Sequence, residues 1–126
     1  AFSEKAHIVR AAQEAIAYQI REVLEMMRSG ARVQLKTLHA DGGPTRNQFL
    51  MQFTADLTRT EIKVAEVAES SAWGAALNGF LGLGIYKSLL ELTNLPQAQK
   101  VFRPKMKLVV VKRFHEGWRQ AVQRVL

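Results

Sequence analysis

The stretch from Val33 to Phe53 constrains this chain more than any other. Leu35, Thr37 and His39 alternate with Lys36, Leu38 and Ala40, and the run is closed by Asp41-Gly42-Gly43. Short alternation with β-branched members, ended by glycines, predicts a strand over Val33 to Ala40. Pro44 then suits the first turn of a helix, where its missing N–H would be unpaired anyway. Phe49, Leu50, Phe53 and Leu57 mark the buried face of that helix at three- and four-residue steps. A strand turning through glycines into a helix is the elementary unit of an α/β protein.

The flanking segments fit that class. Ser3 can cap a long helix on which Ile8, Ala12, Ile16, Ile20, Val23 and Met27 form one apolar face, with Ser29-Gly30 as its C-cap. Thr60 to Ala65 alternates Ile62 and Val64 with charged neighbours and is expected as a second strand, nearer a sheet edge. Ser70 or Ser71 can start a helix through Trp73, Leu77 and Phe80 to about Leu83. Its small residues Gly74, Ala75 and Gly79 predict close approach to a neighbour or ligand. A short helix is expected over Lys87 to Leu92, and Asn94 to Pro104 reads as irregular. A last helix covers most of Lys107 to Arg124, at a cost of about 1 kcal/mol for the interior Gly117.

Two strands among these helices make a meagre sheet, because independent stability usually takes about three or more. That predicts an α/β unit, helix-rich with few strands and truncated at its N-terminus, with further strands before Ala1. The start Ala1-Phe2-Ser3 has neither Met nor a basic or apolar leader, which fits a domain boundary or a cut. A hydrophobic fraction of 48% with 23% charged residues excludes a disordered chain. No Cys is present, which excludes disulfides and thiolate metal sites and fits a cytoplasmic location. The apolar stretch Ala72 to Tyr86 is too short to span a bilayer, so no membrane partner is expected.

The formal charge of +7 raises the question of an acidic partner. Lys100, Arg103, Lys105, Lys107, Lys112, Arg113, Arg119 and Arg124 gather late in the chain. They read either as a solvated helix face or as a basic, non-enzymatic surface for nucleic acid or another acidic partner. No aromatic platform interleaves them, which disfavours nucleic acid.

The chemistry concentrates at Asp41-Gly42-Gly43. Glycines at a strand-to-helix turn let a ligand touch the backbone, and a helix start offers free N–H groups to a phosphate. Asn47 stands one turn above the same mouth and can give a purine edge both a donor and an acceptor. On spacing alone this is a weak signal, since a bare Gly-Gly turn is more often just a turn. Other motifs carry less. Gly82, Gly84, Lys87 and Ser88 fail as a phosphate loop, since Tyr86 stands where glycine must precede the lysine. His7, His39 and His115 have no metal-ligand spacing; His39 is expected packed or hydrogen-bonded, and His115 at the surface or structural. Glu66 and Glu69 attract nothing else, and Glu69 suits a helix start. No catalytic residue and no metal ligand is assigned.

The string Asp41-Gly42-Gly43-Pro44-Thr45-Arg46-Asn47-Gln48-Phe49-Leu50-Met51-Gln52-Phe53 resembles the FGGY family of carbohydrate kinases, and most of all its glycerol kinase branch. Glu69-Ser70-Ser71-Ala72-Trp73-Gly74-Ala75-Ala76, Phe102-Arg103-Pro104-Lys105-Met106 and Trp118-Arg119-Gln120-Ala121-Val122 are similar to later segments of those kinases, in the same order. The resemblance implies that residues 1–126 are the C-terminal nucleotide-binding portion of such a kinase, an incomplete part of an actin-like (ribonuclease H-like) ATPase domain. It implies ATP with Mg²⁺ as the phosphate source, a small polyol or sugar as acceptor, and a homo-oligomer. Carried over by position, Gly43 presents its backbone to the nucleotide, Asn47 contacts adenine, Gly42 keeps the turn open and Asp41 anchors the strand end. The family's catalytic carboxylate and phosphate loop have no counterpart here, so the chain alone is expected to be inactive. Pro44-Thr45-Arg46 departs from the small apolar residues common in glycerol kinases, which leaves the acceptor open between glycerol, another polyol and a ketose.

Overall fold

The computed structural model describes residues 3–31, 35–66, 70–95 and 98–126. In chain order the elements are α1 (Lys5–Ala31), β1 (Thr37–Ala40), a 3-10 turn (Gly43–Arg46), α2 (Gln48–Thr58), β2 (Glu61–Ala65), α3 (Ser70–Gly82), α4 (Leu89–Thr93), β3 (Gln99–Phe102) and α5 (Leu108–Gln123). The expected α/β class holds, helix-rich around a small sheet.

That sheet has three strands in the order β1-β2-β3. β1 runs parallel to β2, with Leu38 opposite Ile62 and Ala40 opposite Val64. β3 runs antiparallel to β2, with Phe102 opposite Ile62 and Lys100 opposite Val64. Two expectations change here. β2 is the central strand, not an edge: its charged alternates report which face is wet, whereas edge or centre is decided by backbone partners. Gln99–Phe102 is a strand where the sequence read as irregular. Of its residues only Phe102 is buried, so no alternation announces it; the free side of β2 recruits it.

The core forms where α1, α2 and α5 meet the sheet. Ala17, Tyr18, Leu50, Met51, Phe53, Leu57, Ile62, Val64, Phe102 and Val111 are buried together. The ring of Tyr18 lies edge-on to Phe53 and stacked on Trp118, and Phe114 meets Phe53 edge-on. Burial first, and then the nearby Glu14 carboxylate, push the Tyr18 phenol up to about 12 against an opposing pull from Arg10. α1 turns a different face inward from the one its periodicity picked out. Ala17, Tyr18 and Leu24 are buried, while Ile8, Ile16, Val23 and Met27 are exposed. Arginines complete the inner face: the Arg10 guanidinium lies 3.6 Å from the Phe49 ring centroid, and Arg28 Nη2 donates to the Thr58 carbonyl at the end of α2. Long cationic stems can cover apolar surface in this way. α1 also runs through Ser29-Gly30 to Ala31 rather than ending there.

A polar seam on α2 fixes the loop before α5. Asp56 Oδ1 accepts from the Lys105 and Met106 amides at 2.5 and 3.0 Å. Gln52 Nε2 donates to the Arg103 carbonyl at 2.8 Å, and Arg59 Nη1 to the Met106 carbonyl at 2.8 Å. α5 starts from that anchored loop and drives Val111 into the core, while Lys112, Arg113 and Arg119 stay exposed. The stripe Gly74, Gly79 on α3 meets no neighbour: a Cβ built at either glycine finds nothing within 4 Å. The close approach to a neighbour that these small residues suggested is not made among the described residues.

Candidate functional site

The turn after β1 has a backbone that its sequence requires. Gly42 sits at φ 86, ψ 179, a region open to glycine almost alone. Its carbonyl accepts from the Thr45 amide at 3.1 Å and from Thr45 Oγ1 at 2.7 Å. These bonds close the 3-10 turn, with Pro44 at its start. The helix therefore does not begin at Pro44 as expected; α2 proper opens at Gln48. Asn47 is its N-cap, with Oδ1 accepting from the Leu50 amide at 3.1 Å. The side chain expected to face a ligand thus already serves the helix. Its Nδ2 donates to no described residue, and Oδ1 keeps a second lone pair.

A cleft of about 360 Å³ lies against this turn. Gly42, Thr45, Arg46 and Gln48 line it from one side, and the end of β2 with Glu66 and Lys100 from the other. It opens at the carboxyl ends of the parallel pair β1 and β2, where open α/β sheets bind ligands. A Cβ built on Gly42 or Gly43 meets nothing within 4 Å, so the turn presents bare backbone with room beside it. Of the four residues singled out by sequence, Gly42 lines the cleft. Asn47 is half-buried on the same turn, and Asp41 and Gly43 are exposed beside it. Sequence reasoning missed Arg46, Glu66 and Lys100. Arg46 was legible, being inside the same loop; Lys100 arrives only through the β3 pairing. Two cations against one carboxylate suit an anionic ligand.

Elsewhere, the second glycine pair closes a helix. Gly84 has φ 72, and the Ile85 amide donates to the Phe80 carbonyl at 2.9 Å, a helix-terminating arrangement that leaves no phosphate loop. His39 is exposed and bonds to no described residue, contrary to expectation. His115 is structural, with Nε2 at 2.6 Å from Glu22 Oε1. Glu69 lies outside the described residues. Among those residues no helix is long and apolar enough to cross a membrane.

A glycine turn beside a cleft at the ends of parallel strands defines an α/β unit with a candidate ligand site. Comparison with known proteins narrows this class. Residues 1–83 match the FGGY family of carbohydrate kinases, C-terminal domain, and the chain belongs to that family. The glycerol kinase of Petrotoga mobilis is 43% identical over 122 residues, covering 97% of this chain and 24% of that protein. The glycerol kinase of Pasteurella multocida is 44% identical over 120 residues, covering 95% and 24%. The chain thus spans about a quarter of the length of these relatives. Among solved structures, Plasmodium falciparum glycerol kinase with ADP superposes with a TM-score of 0.84 at 35% identity, over 99% of this chain and 25% of that one. Xylulose kinase from Rhodospirillum rubrum shares the fold, with a TM-score of 0.63 at 19% identity. The chain has the fold of part of the actin-like (ribonuclease H-like) ATPase domain, as the resemblance implied.

Proposed function

We propose that residues 1–126 are the C-terminal nucleotide-binding portion of an ATP-dependent carbohydrate kinase, which transfers the γ-phosphate of ATP to a hydroxyl of glycerol or a related polyol or sugar. The observation that carries this reading is the Gly42 turn, held in a glycine-only conformation beside a cleft at the carboxyl ends of parallel strands. Family membership and the likeness to a glycerol kinase with ADP support it. In this reading the Gly42-Gly43 backbone lies against the nucleotide, Asp41 anchors the strand end, and Asn47 offers Nδ2 to the purine while Oδ1 keeps its cap. Phosphoryl transfer rests on positioning and on Mg²⁺-assisted charge stabilisation. Glu66 is the one carboxylate lining this cleft among the described residues, so Mg²⁺ and the base toward the acceptor hydroxyl would be supplied by groups outside this chain. The enzyme would work in the cytoplasm as a homo-oligomer.

The test must separate the two duties of Asn47. Asn47→Asp keeps an oxygen for the cap and removes the Nδ2 donor. Leaving a purine acceptor unpaired costs about 1–3 kcal/mol, so ATP or ADP should bind roughly 5- to 150-fold more weakly in calorimetry, with thermal stability unchanged. Nucleotide affinity equal to that of the unaltered protein would refute the contact.

A further inference from the structure

We propose that Glu22, Glu25 and His115 form a binding site for a divalent transition-metal ion that ties α1 to α5. Glu22 and Glu25 stand one turn apart on α1, and His115 reaches them from α5. One ligand atom from each residue lies within 4.8 Å of the other two. His115 is the most enclosed, its side chain 14% exposed, and its Nε2 is already aimed at Glu22 Oε1 at 2.6 Å. An imidazole with two carboxylates suits Zn²⁺ or Co²⁺ rather than Mg²⁺ or Ca²⁺, which prefer oxygen alone. For an ion about 2.1 Å from each atom, Glu22 Oε1 must move back from its 2.6 Å contact with Nε2 and the Glu25 carboxylate must turn toward the ion.

The surroundings fit this use. Arg21 Nε bonds Glu25 Oε1 at 2.7 Å, which fixes that carboxylate and leaves Glu25 Oε2 free among the described residues. Ligating carboxylates are commonly held by such outer hydrogen bonds. Arg21 Nη1 is buried with no partner among the described residues. A hollow of about 380 Å³ lined by Glu22, Trp118 and Arg119 gives access from solvent. The nearby charges sum low: two carboxylates against the Arg21 guanidinium, with Arg119 at the rim. Binding is therefore modest in strength.

The chelator-stripped protein is titrated with Zn²⁺ by calorimetry and with Co²⁺ by visible absorption. Saturable binding of one ion is expected, with Zn²⁺ raising the melting temperature. His115→Gln and Glu25→Gln should each weaken Zn²⁺ binding by about tenfold or more and abolish that rise. Glu25 is partly exposed, so its variant tests the site even if His115→Gln unfolds. Absence of saturable binding up to millimolar Zn²⁺ overturns the proposal, as does binding that survives Glu25→Gln, which would place the ion on other histidines.

Discussion

Asp56 is the side chain through which α2 holds the loop leading to α5, and removing it should loosen that loop measurably. Its Oδ1 accepts from the Lys105 and Met106 amides and from Gln52 Nε2, at 2.5, 3.0 and 3.2 Å. Asp56 is only 6% exposed. Hydrogen bonds to a charged group are worth about 1.5–3 kcal/mol each, and a stranded buried donor costs about 1–3 kcal/mol. Gln52 retains the Arg103 carbonyl as a partner, so its loss is small. Lys105 is exposed and Met106 half-buried, so water can reach their amides and the lower end of each range applies. Asp56→Ala should therefore cost about 3 kcal/mol, chiefly from two amides at about 1.5 kcal/mol each. Asp56→Asn keeps an acceptor and loses the charge, and should cost about 1 kcal/mol. Urea denaturation followed by circular dichroism measures both, provided the slope is unchanged. Hydrogen exchange locates the loss, with the Lys105 and Met106 amides expected to be the most accelerated. A cost below about 0.5 kcal/mol for Asp56→Ala, the level of an ordinary surface change, would show that the seam does not hold the loop.

Gly42→Ala should destabilise by about 1–3 kcal/mol through backbone strain alone, since a Cβ there meets no atom within 4 Å; a neutral result in thermal melts would contradict the assigned turn. Asn47→Ala should cost about 1 kcal/mol by removing the cap on Leu50, while Asn47→Asp should not, and equal melting temperatures for the two would dismiss the cap. Tyr18→Phe should be close to neutral at pH 7. The folded phenol, raised to about 12 from an ordinary value near 10, binds its proton more tightly than the unfolded one. Its stabilisation is thus complete below about pH 10 and is lost as pH rises toward 12. Stability curves of the Phe variant should lack that step, and identical curves would exclude Tyr18 as its source.

The residues alone determined the class of this protein and pointed to its candidate site. Local preference settles whether a segment coils or extends: Pro44, the spacing of Phe49, Leu50, Phe53 and Leu57, and the alternation around Ile62 and Val64 are short-range signals. Gly42 was legible for the same reason, because a glycine-only backbone is a local demand. The resemblance to the FGGY kinases was also carried by contiguous strings. Tertiary structure decided what depends on partners. α1 is apolar on more than one face, and only packing against α2 and α5 chose Ala17, Tyr18 and Leu24 over Ile16 and Val23. β2 became central and Gln99–Phe102 became a strand because backbone hydrogen bonds pair segments distant in sequence. That pairing brought Lys100 to the cleft, and the meeting of α1 with α5 brought His115 to Glu22 and Glu25. Periodicity records which side of an element is apolar; which side is buried, and what stands across from it, follows from the neighbours the chain finds when it closes on itself.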